Sequence, residues 1–251
     1  MRLFFTVLCA LLFSRAAAQR PKPDMIPSDS GLITLQPVFH GSLVIGWNKQ
    51  TIYIDPHGSA ANFAGLKAAD LVLITDIHSD HMDTAALSAL KTSGATFIVP
   101  QAVADLLPAR FRKHMKVLAN GESLTEKTVA VTAIPMYNSP ENAVVHHPRG
   151  RGNGYVLQLG GKTIYISGDT EDSPEMSGLK NVDVAFICMN QPYTMTVRQA
   201  AYAVLSFKPH IVYPYHYRGQ NGFSDLNAFK QYVQQGDPAL EVRIRKWYGV
   251  R

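Results

Sequence analysis

The stretch Leu71-Val72-Leu73-Ile74-Thr75-Asp76-Ile77-His78-Ser79-Asp80-His81-Met82-Asp83 decides how this chain folds. Residues 71–75 form an apolar or β-favouring run that is too short for a helix, so they predict a buried strand. Five of the next eight residues are His or Asp. Because open α/β sheets build their sites where strands end, and because His and Asp bind divalent metals, this pattern predicts a metal site at a sheet edge. Asp83 has a plainer explanation as the N-cap of a helix that begins at Thr84.

The N-terminus has the layout of a secretory signal peptide over residues 1–18. A positive start and an apolar run precede the small residues Ala16-Ala17-Ala18. We therefore expect an exported protein, secreted or periplasmic. The apolar run is too short to span a bilayer, and no second run is long enough, so we expect no membrane span. Residues 19–30, with three prolines, predict an extended N-terminal arm, and residues 31–251 predict a single domain.

Charge and cysteine content exclude some classes of protein. The formal net charge is +5, and it falls to about +3 when Arg2 and Arg15 leave with the signal peptide. This weak basic balance does not favour a nucleic-acid partner. Cys188 is then the single remaining cysteine, so the mature chain cannot form an internal disulfide and must be stabilised by its core.

Predicted strands and helices alternate along the chain, which favours a layered α/β fold. Two further predicted strands end in metal-ligating residues: Asp169 follows one and His216 follows the other. Asp55 also ends a strand and faces the same edge. Each residue alone fits a plain turn or a hydrogen-bonded His. Their occurrence together with the cluster at 76–83 favours one shared site.

These features resemble the metallo-β-lactamase fold superfamily, and most closely its branch that is similar to ascorbate-6-phosphate lactonase. The resemblance covers nearly all of the mature chain. It rests on the stretches Tyr53-Ile54-Asp55-Pro56, Ile74–Asp83, Tyr165-Ile166-Ser167-Gly168-Asp169-Thr170, Tyr193-Thr194-Met195 and Tyr213-Pro214-Tyr215-His216-Tyr217. It implies an α/β fold, a four-layer αβ/βα sandwich in a single domain, with one or two divalent metal ions at the sheet edges.

The chain departs from the family motif Thr-His-x-His-x-Asp-His at one metal position. Here the motif reads Thr75-Asp76-Ile77-His78-Ser79-Asp80-His81, so Asp76 replaces the first His. The family's next His falls at Asn138. The resemblance thus implies an intact first position and an altered second one. The first holds Asp80, His81, Asp169 and His216, and the second holds Asp76, His78 and Asn138 with Asp169 bridging.

The altered position leaves the identity of the metal undetermined. Its oxygen donors shift the preference from zinc toward manganese, iron or magnesium. We expect zinc, with manganese or iron as alternatives, and two ions in preference to one. His146 or His147 is an alternative source of the missing imidazole.

The resemblance implies a hydrolase in which a metal-bound hydroxide attacks an ester, lactone or phosphoester. Asp80 would orient the hydroxide, and Tyr137, Asn138 or Tyr193 would donate to the developing oxyanion. A non-catalytic metal- or ligand-binding protein of the same fold is the alternative, because Asp76 and Asn138 alter the second position.

Basic residues near the predicted site suggest an anionic small-molecule substrate. Arg149 and Arg151 lie in the long loop before the strand that leads to Asp169, and Arg218 follows His216. A solvated loop is the alternative interpretation of the two loop arginines. His40 is the fourth candidate substrate-binding residue, and support of the metal ligands is its alternative role. Trp247-Tyr248, near the end of the chain, predicts a surface edge strand.

Overall fold

The structure, a computed structural model, describes residues 20–139 and 145–248, so the predicted signal peptide lies outside the described residues. Its framework is two seven-stranded sheets. The first sheet follows chain order from edge to edge. Its strands are β1 (Asp24–Ser28), β2 (Gly31–Phe39), β3 (Ser42–Trp47), β4 (Gln50–Ile54), β5 (Leu71–Leu73), β6 (Thr96–Val99) and β7 (Met115–Val117).

The remainder of the chain forms the second seven-stranded sheet and a separate two-stranded ribbon. The strands of this part, of which β14 and β15 form the ribbon, are β8 (Ser123–Glu126), β9 (Val129–Met136), β10 (Gly152–Leu159), β11 (Lys162–Ile166), β12 (Val184–Cys188), β13 (Ile211–Tyr215), β14 (Arg218–Gly219), β15 (Gly222–Phe223) and β16 (Glu241–Val242).

The two sheets have the same topology, although the sequence shows no repeat. In the first, β1 to β4 are antiparallel and β4 to β7 are parallel. In the second, β8 to β11 are antiparallel, and β11, β12, β13 and β16 are parallel. The carboxyl ends of parallel strands meet at one edge of a sheet, where such folds place their sites.

Helices cover the outer face of each sheet. They are α1 (Thr84–Ala89), α2 (Gln101–Leu106), α3 (Pro174–Ser177), α4 (Val197–Phe207) and α5 (Leu226–Gly236), with short 3-10 helices at Ala60–Phe63 and Ala109–His114. Asp83 caps α1 as predicted, because its Oδ1 accepts hydrogen bonds from the Ala85 and Ala86 backbone N–H groups. The predicted layered α/β sandwich is confirmed.

The opening stretch occupies the middle of the first sheet. Leu71 and Leu73 enter the core between the two sheets, whereas Val72 packs into the second core beneath α1 and α2. This division follows from the alternation of side chains along a strand. A strand buried on both faces must be apolar at every position, which is why this run predicts β5 so clearly.

Both ends of the described chain differ from expectation. Within the predicted arm 19–30, residues 24–28 form β1 and pair with β2, so the first sheet begins before residue 31. Trp247 is buried against Phe186 and Tyr215 instead of lying on a surface edge strand. Among the described residues, no helix has the length and apolar character needed to cross a membrane.

Candidate metal centre

The predicted ligands come together where β4, β5, β11 and β13 end. Three non-glycine residues at this edge have left-handed backbone: His40 with φ 55°, Asp55 with φ 43° and His216 with φ 45°. This conformation is costly for side chains with a Cβ and persists where the surroundings enforce it, as they do at many functional sites. The edge is therefore held in an unusual conformation by the fold around it.

The first metal position contains the four predicted residues. The Nε2 atoms of His81 and His216 lie 3.2 Å apart. Asp169 places Oδ2 at 3.4 Å from His81 Nε2 and Oδ1 at 3.4 Å from His216 Nε2. Asp80 Oδ2 lies 3.4 Å from His216 Nε2. Nitrogen and carboxylate atoms thus surround a common point, as ligands of one ion do.

The surroundings of the first position favour the ionised forms of the Asp80 and Asp169 carboxyls. Burial raises the pKa of both groups, but the imidazoles beside them hold both pKa values well below the usual range for Asp. Burial also lowers the pKa of His81, yet Asp169, Asp80 and Asp55 raise it well above the ordinary value. The carboxylates of this cluster therefore strongly favour a positive charge bound among them.

A second position lies beside the first and is made by Asp76, His78 and His147. His78 Nδ1 is 2.7 Å from Asp76 Oδ2. His147 Nε2 is 3.9 Å from that same oxygen and 3.5 Å from Asp169 Oδ2. Asp169 thus lies between the two positions, as predicted. His147 places an imidazole at the position where the motif lacks one.

Asn138 does not take the ligand role that was predicted for it. Its Oδ1 accepts hydrogen bonds from the His147 backbone N–H at 2.7 Å and from Nδ1 at 3.2 Å. Its Nδ2 donates to the Tyr193 carbonyl at 2.8 Å. With both amide atoms engaged, Asn138 orients His147 so that Nε2 faces the centre. The sequence offered both His146 and His147 as alternatives, and nothing in their spacing distinguished them.

The chemistry of these residues fits a bound cation. His147 Nε2 and Asp169 Oδ1 are buried and have no hydrogen-bond partner among the described residues. Buried polar atoms are nearly always paired, so two facing the same centre indicate a missing ligand. Burial lowers the pKa of His147 to about 4, which keeps the imidazole neutral, as metal binding requires.

The two loop arginines and Tyr137 bind carboxylates of the protein and do not take the substrate-binding and oxyanion roles predicted for them. Arg151 binds Asp76, with Nε 3.0 Å from Oδ1 and Nη2 3.0 Å from Oδ2. Arg149 is largely exposed and pairs with Glu175. The Tyr137 hydroxyl donates to that same carboxylate at 2.9 Å, which directs it away from the oxyanion position predicted for it. The guanidinium groups of the loop therefore bind carboxylates of the protein itself.

His40 and the C-terminal segment support the first position. His40 Nε2 lies 3.0 Å from Asp80 Oδ2, and its Nδ1 lies 2.7 Å from the Tyr248 hydroxyl. Arg218 packs over the rings of Tyr248 and Phe39, at 5.0 and 5.8 Å from their centroids. Burial and the neighbouring His216 lower the pKa of His40 to about 4, although Asp80 opposes this shift.

A cavity of about 410 Å³ opens onto both metal positions. Its size suits a small molecule. Tyr193 lies in its wall, with its ring 5.0 Å from that of His146. The lining residues are His78, Ser79, Asp80, His146, His147, Asp169, Asn190 and Tyr193.

Two sheets of matching topology, with a His/Asp centre at their shared edge, define a metal-dependent protein of the metallo-β-lactamase fold. The family profile described as the beta-lactamase superfamily domain matches residues 34–216. A UPF0173 metal-dependent hydrolase of Pyrococcus abyssi is 32% identical over 216 residues, which cover 82% of this chain and 93% of the relative. The chain belongs to the β-lactamase superfamily and, within it, to the UPF0173 family of metal-dependent hydrolases.

Solved structures agree with this assignment. A crystal structure from Parabacteroides distasonis, named as a metal-dependent hydrolase, is 38% identical with a TM-score of 0.81 and covers 90% of this chain and 99% of that one. Igni18, a metallo hydrolase of Ignicoccus hospitalis, shares the fold at 24% identity, with a TM-score of 0.71 over 87% of this chain and 96% of that one. The predicted fold and enzyme class are confirmed. The closer likeness to ascorbate-6-phosphate lactonase stays a prediction.

Proposed function

We propose that this chain is an exported hydrolase that cleaves an ester, lactone or phosphoester bond of a small anionic molecule. The observation that carries the proposal is the position of the cavity. Its wall includes Asp80 and Asp169, which belong to the metal centre, and also the half-buried Tyr193. A substrate held there has its reacting bond beside both positions.

Divalent ions, when bound, supply Lewis-acid polarisation of the substrate and lower the pKa of water. The first would be held by Asp80, His81, Asp169 and His216, and the second by Asp76, His78 and His147. Four imidazoles favour zinc, and three carboxylates also accommodate manganese or iron. Because His147 restores a third ligand to the second position, the main argument for a non-catalytic binding protein is removed.

The residues of the chain have separate roles in this proposal. Asp80 lies between the first position and the cavity, and the hydrogen bond with His40 fixes its carboxylate. This arrangement suits it to orient the attacking group and to accept a proton. Tyr193 is the candidate donor to the developing oxyanion, because it lines the cavity whereas the Tyr137 hydroxyl is bound to Glu175.

The preference for an anionic substrate now rests on Arg218. Arg149 and Arg151 are paired with Glu175 and Asp76, but among the described residues no carboxylate pairs with the Arg218 guanidinium. This cation packs on Tyr248, next to the His40 side of the centre. Arg218 is not among the residues that line the cavity, so its charge would attract a phosphate or carboxylate group from the Tyr248 side of the centre.

The test is turnover on a panel of lactones, phosphodiesters and neutral esters by protein of measured metal content. We expect turnover on at least one class, lost on chelation and restored by Zn²⁺ or Mn²⁺. Asp80→Ala should abolish turnover while the protein remains folded. Metal-loaded protein that turns over no member of the panel would contradict the proposal.

Export is tested separately from hydrolysis. Mass spectrometry of the protein recovered from the secreted or periplasmic fraction should show an N-terminus at Gln19. A mature protein that retains residues 1–18 and stays with the cytoplasmic fraction would contradict export without affecting the proposed chemistry.

A further inference from the structure

Asp76 is contacted by a fixed cation of the protein as well as by the ligands of the second position. The carboxylate is completely buried, and the Arg151 guanidinium binds both of its oxygens. Arg151 Nη2 also donates to the His146 carbonyl at 2.8 Å, which anchors the guanidinium to the loop. A two-pronged Arg–carboxylate pair of this kind is strong and geometrically specific.

This contact distinguishes the two metal positions. Within the described parts of the chain, Arg151 is the one Arg or Lys paired with a carboxylate of the centre. At the first position, Asp80 and Asp169 contact imidazoles: His40, His81 and His216 surround Asp80, and His81, His147 and His216 surround Asp169. The permanent positive charge therefore acts mainly on the second position.

A count of formal charge shows the consequence. Asp55, Asp76, Asp80 and Asp169 contribute four negative charges, because His81 is neutral when it binds metal and does not offset its partner Asp55. Arg151 offsets one of the four, so the first divalent ion leaves one net negative charge. A second divalent ion would make the centre positive beside a guanidinium, and like charges at such short range repel strongly where solvent is excluded.

We propose that Arg151 sets the affinities of the two positions apart, so that the first ion is held tightly and the second is held weakly and exchanges. Arg151 is thus a residue that controls metal stoichiometry and not a substrate-binding residue. The inference rests on the proposed function in one respect, namely that the centre binds divalent metal. It needs no substrate and no turnover.

The experiment titrates the metal-free full-length mature protein with Zn²⁺ in competition with a chromophoric chelator, and elemental analysis after dialysis counts the retained ions. Wild type should bind in two distinct steps and retain one equivalent. Arg151→Gln keeps a polar side chain but removes the charge, so its second step should tighten by roughly tenfold or more. Arg149→Gln is the matched control, since its guanidinium pairs with Glu175, and it should bind as wild type does.

Arg151→Lys separates charge from shape. It keeps the positive charge without the planar fork, so its second step should stay weak.

The proposal is overturned if wild type binds two ions with equal affinity, a result that depends on no variant. It is also overturned if the second step weakens or stays unchanged in Arg151→Gln, or tightens equally in Arg151→Lys. Circular dichroism of each variant confirms that it is folded. Failure to hydrolyse any substrate would contradict the proposed function but would leave these affinities as they are.

Discussion

His81 Nδ1 lies 2.8 Å from Asp55 Oδ2, and both side chains are completely buried. Asp55 also accepts hydrogen bonds from the Thr75 backbone N–H at 2.7 Å and from the Thr75 hydroxyl at 2.6 Å. The carboxylate is therefore fixed at the end of β4. Because His81 Nδ1–H donates to it, the ring has one orientation and its Nε2 lone pair faces the first metal position.

Asp55→Asn should weaken binding of the first ion, because the amide keeps the shape of the carboxylate but loses its charge. Mutation of a residue that supports a metal ligand in this way typically lowers metal affinity by about 10–100-fold. Competition between the protein and a chelator for Zn²⁺ measures the change. Asp70→Asn is the control: Asp70 precedes β5 and binds the Thr51 N–H and Lys127. Equal losses in both variants would show that the effect is a general destabilisation.

The second position should depend on His147 more than on Asn138. His147→Ala removes a ligand atom, so the second Zn²⁺ step should disappear from the titration. Asn138→Ala removes the acceptor that orients the ring, so the second step should weaken by about tenfold and persist. If Asn138→Ala abolishes the step and His147→Ala preserves it, Asn138 is the ligand and the assignment is wrong.

The parts that could be predicted from the sequence are those where chemistry and local structure coincide. Leu71, Val72 and Leu73 form an apolar run that is buried on both faces. The ligands Asp80 and His81 follow seven and eight residues after Leu73. Their position at a sheet edge follows from the strand itself. Asp169 and His216 were found in the same way, since each ends a strand.

The roles of the loop residues could not be predicted, because they depend on contacts distant in sequence. Arg151 pairs with Asp76, 75 residues away. The orientation of His147 depends on Asn138, and the Tyr137 hydroxyl is directed by Glu175. Loops lack a repeating period, so spacing does not show which side chains point inward. From the sequence alone, a polar residue near a ligand is therefore equally consistent with binding the metal, supporting a ligand or lying at the surface.

Gly41→Ala should disturb the first position through contact alone. A Cβ at Gly41 would lie 3.0 Å from His216 Cδ2 and 3.7 Å from His81 Cε1. The His216 imidazole would have to move by a few tenths of an ångström, whereas the distance to His81 is an ordinary van der Waals contact. Metal sites tolerate little displacement of a ligand. We expect a several-fold loss of first-ion affinity in the same Zn²⁺ competition assay. Gly94→Ala, where a Cβ meets nothing within 4 Å, should bind as wild type does.

Arg218→Gln should impair use of an anionic substrate and spare a neutral one. The guanidinium packs over Tyr248, whose hydroxyl contacts His40. His40 in turn contacts Asp80, which lines the cavity. Removing the guanidinium takes away attraction in the bound state, and KM for the anionic substrate should rise roughly tenfold, with a smaller change in kcat. Steady-state kinetics on a matched pair of charged and neutral esters measures this difference. Arg149→Gln, whose guanidinium is already paired with Glu175, should change neither KM. An equal rise for both esters in Arg218→Gln would show that Arg218 supports the aromatic packing and does not read substrate charge.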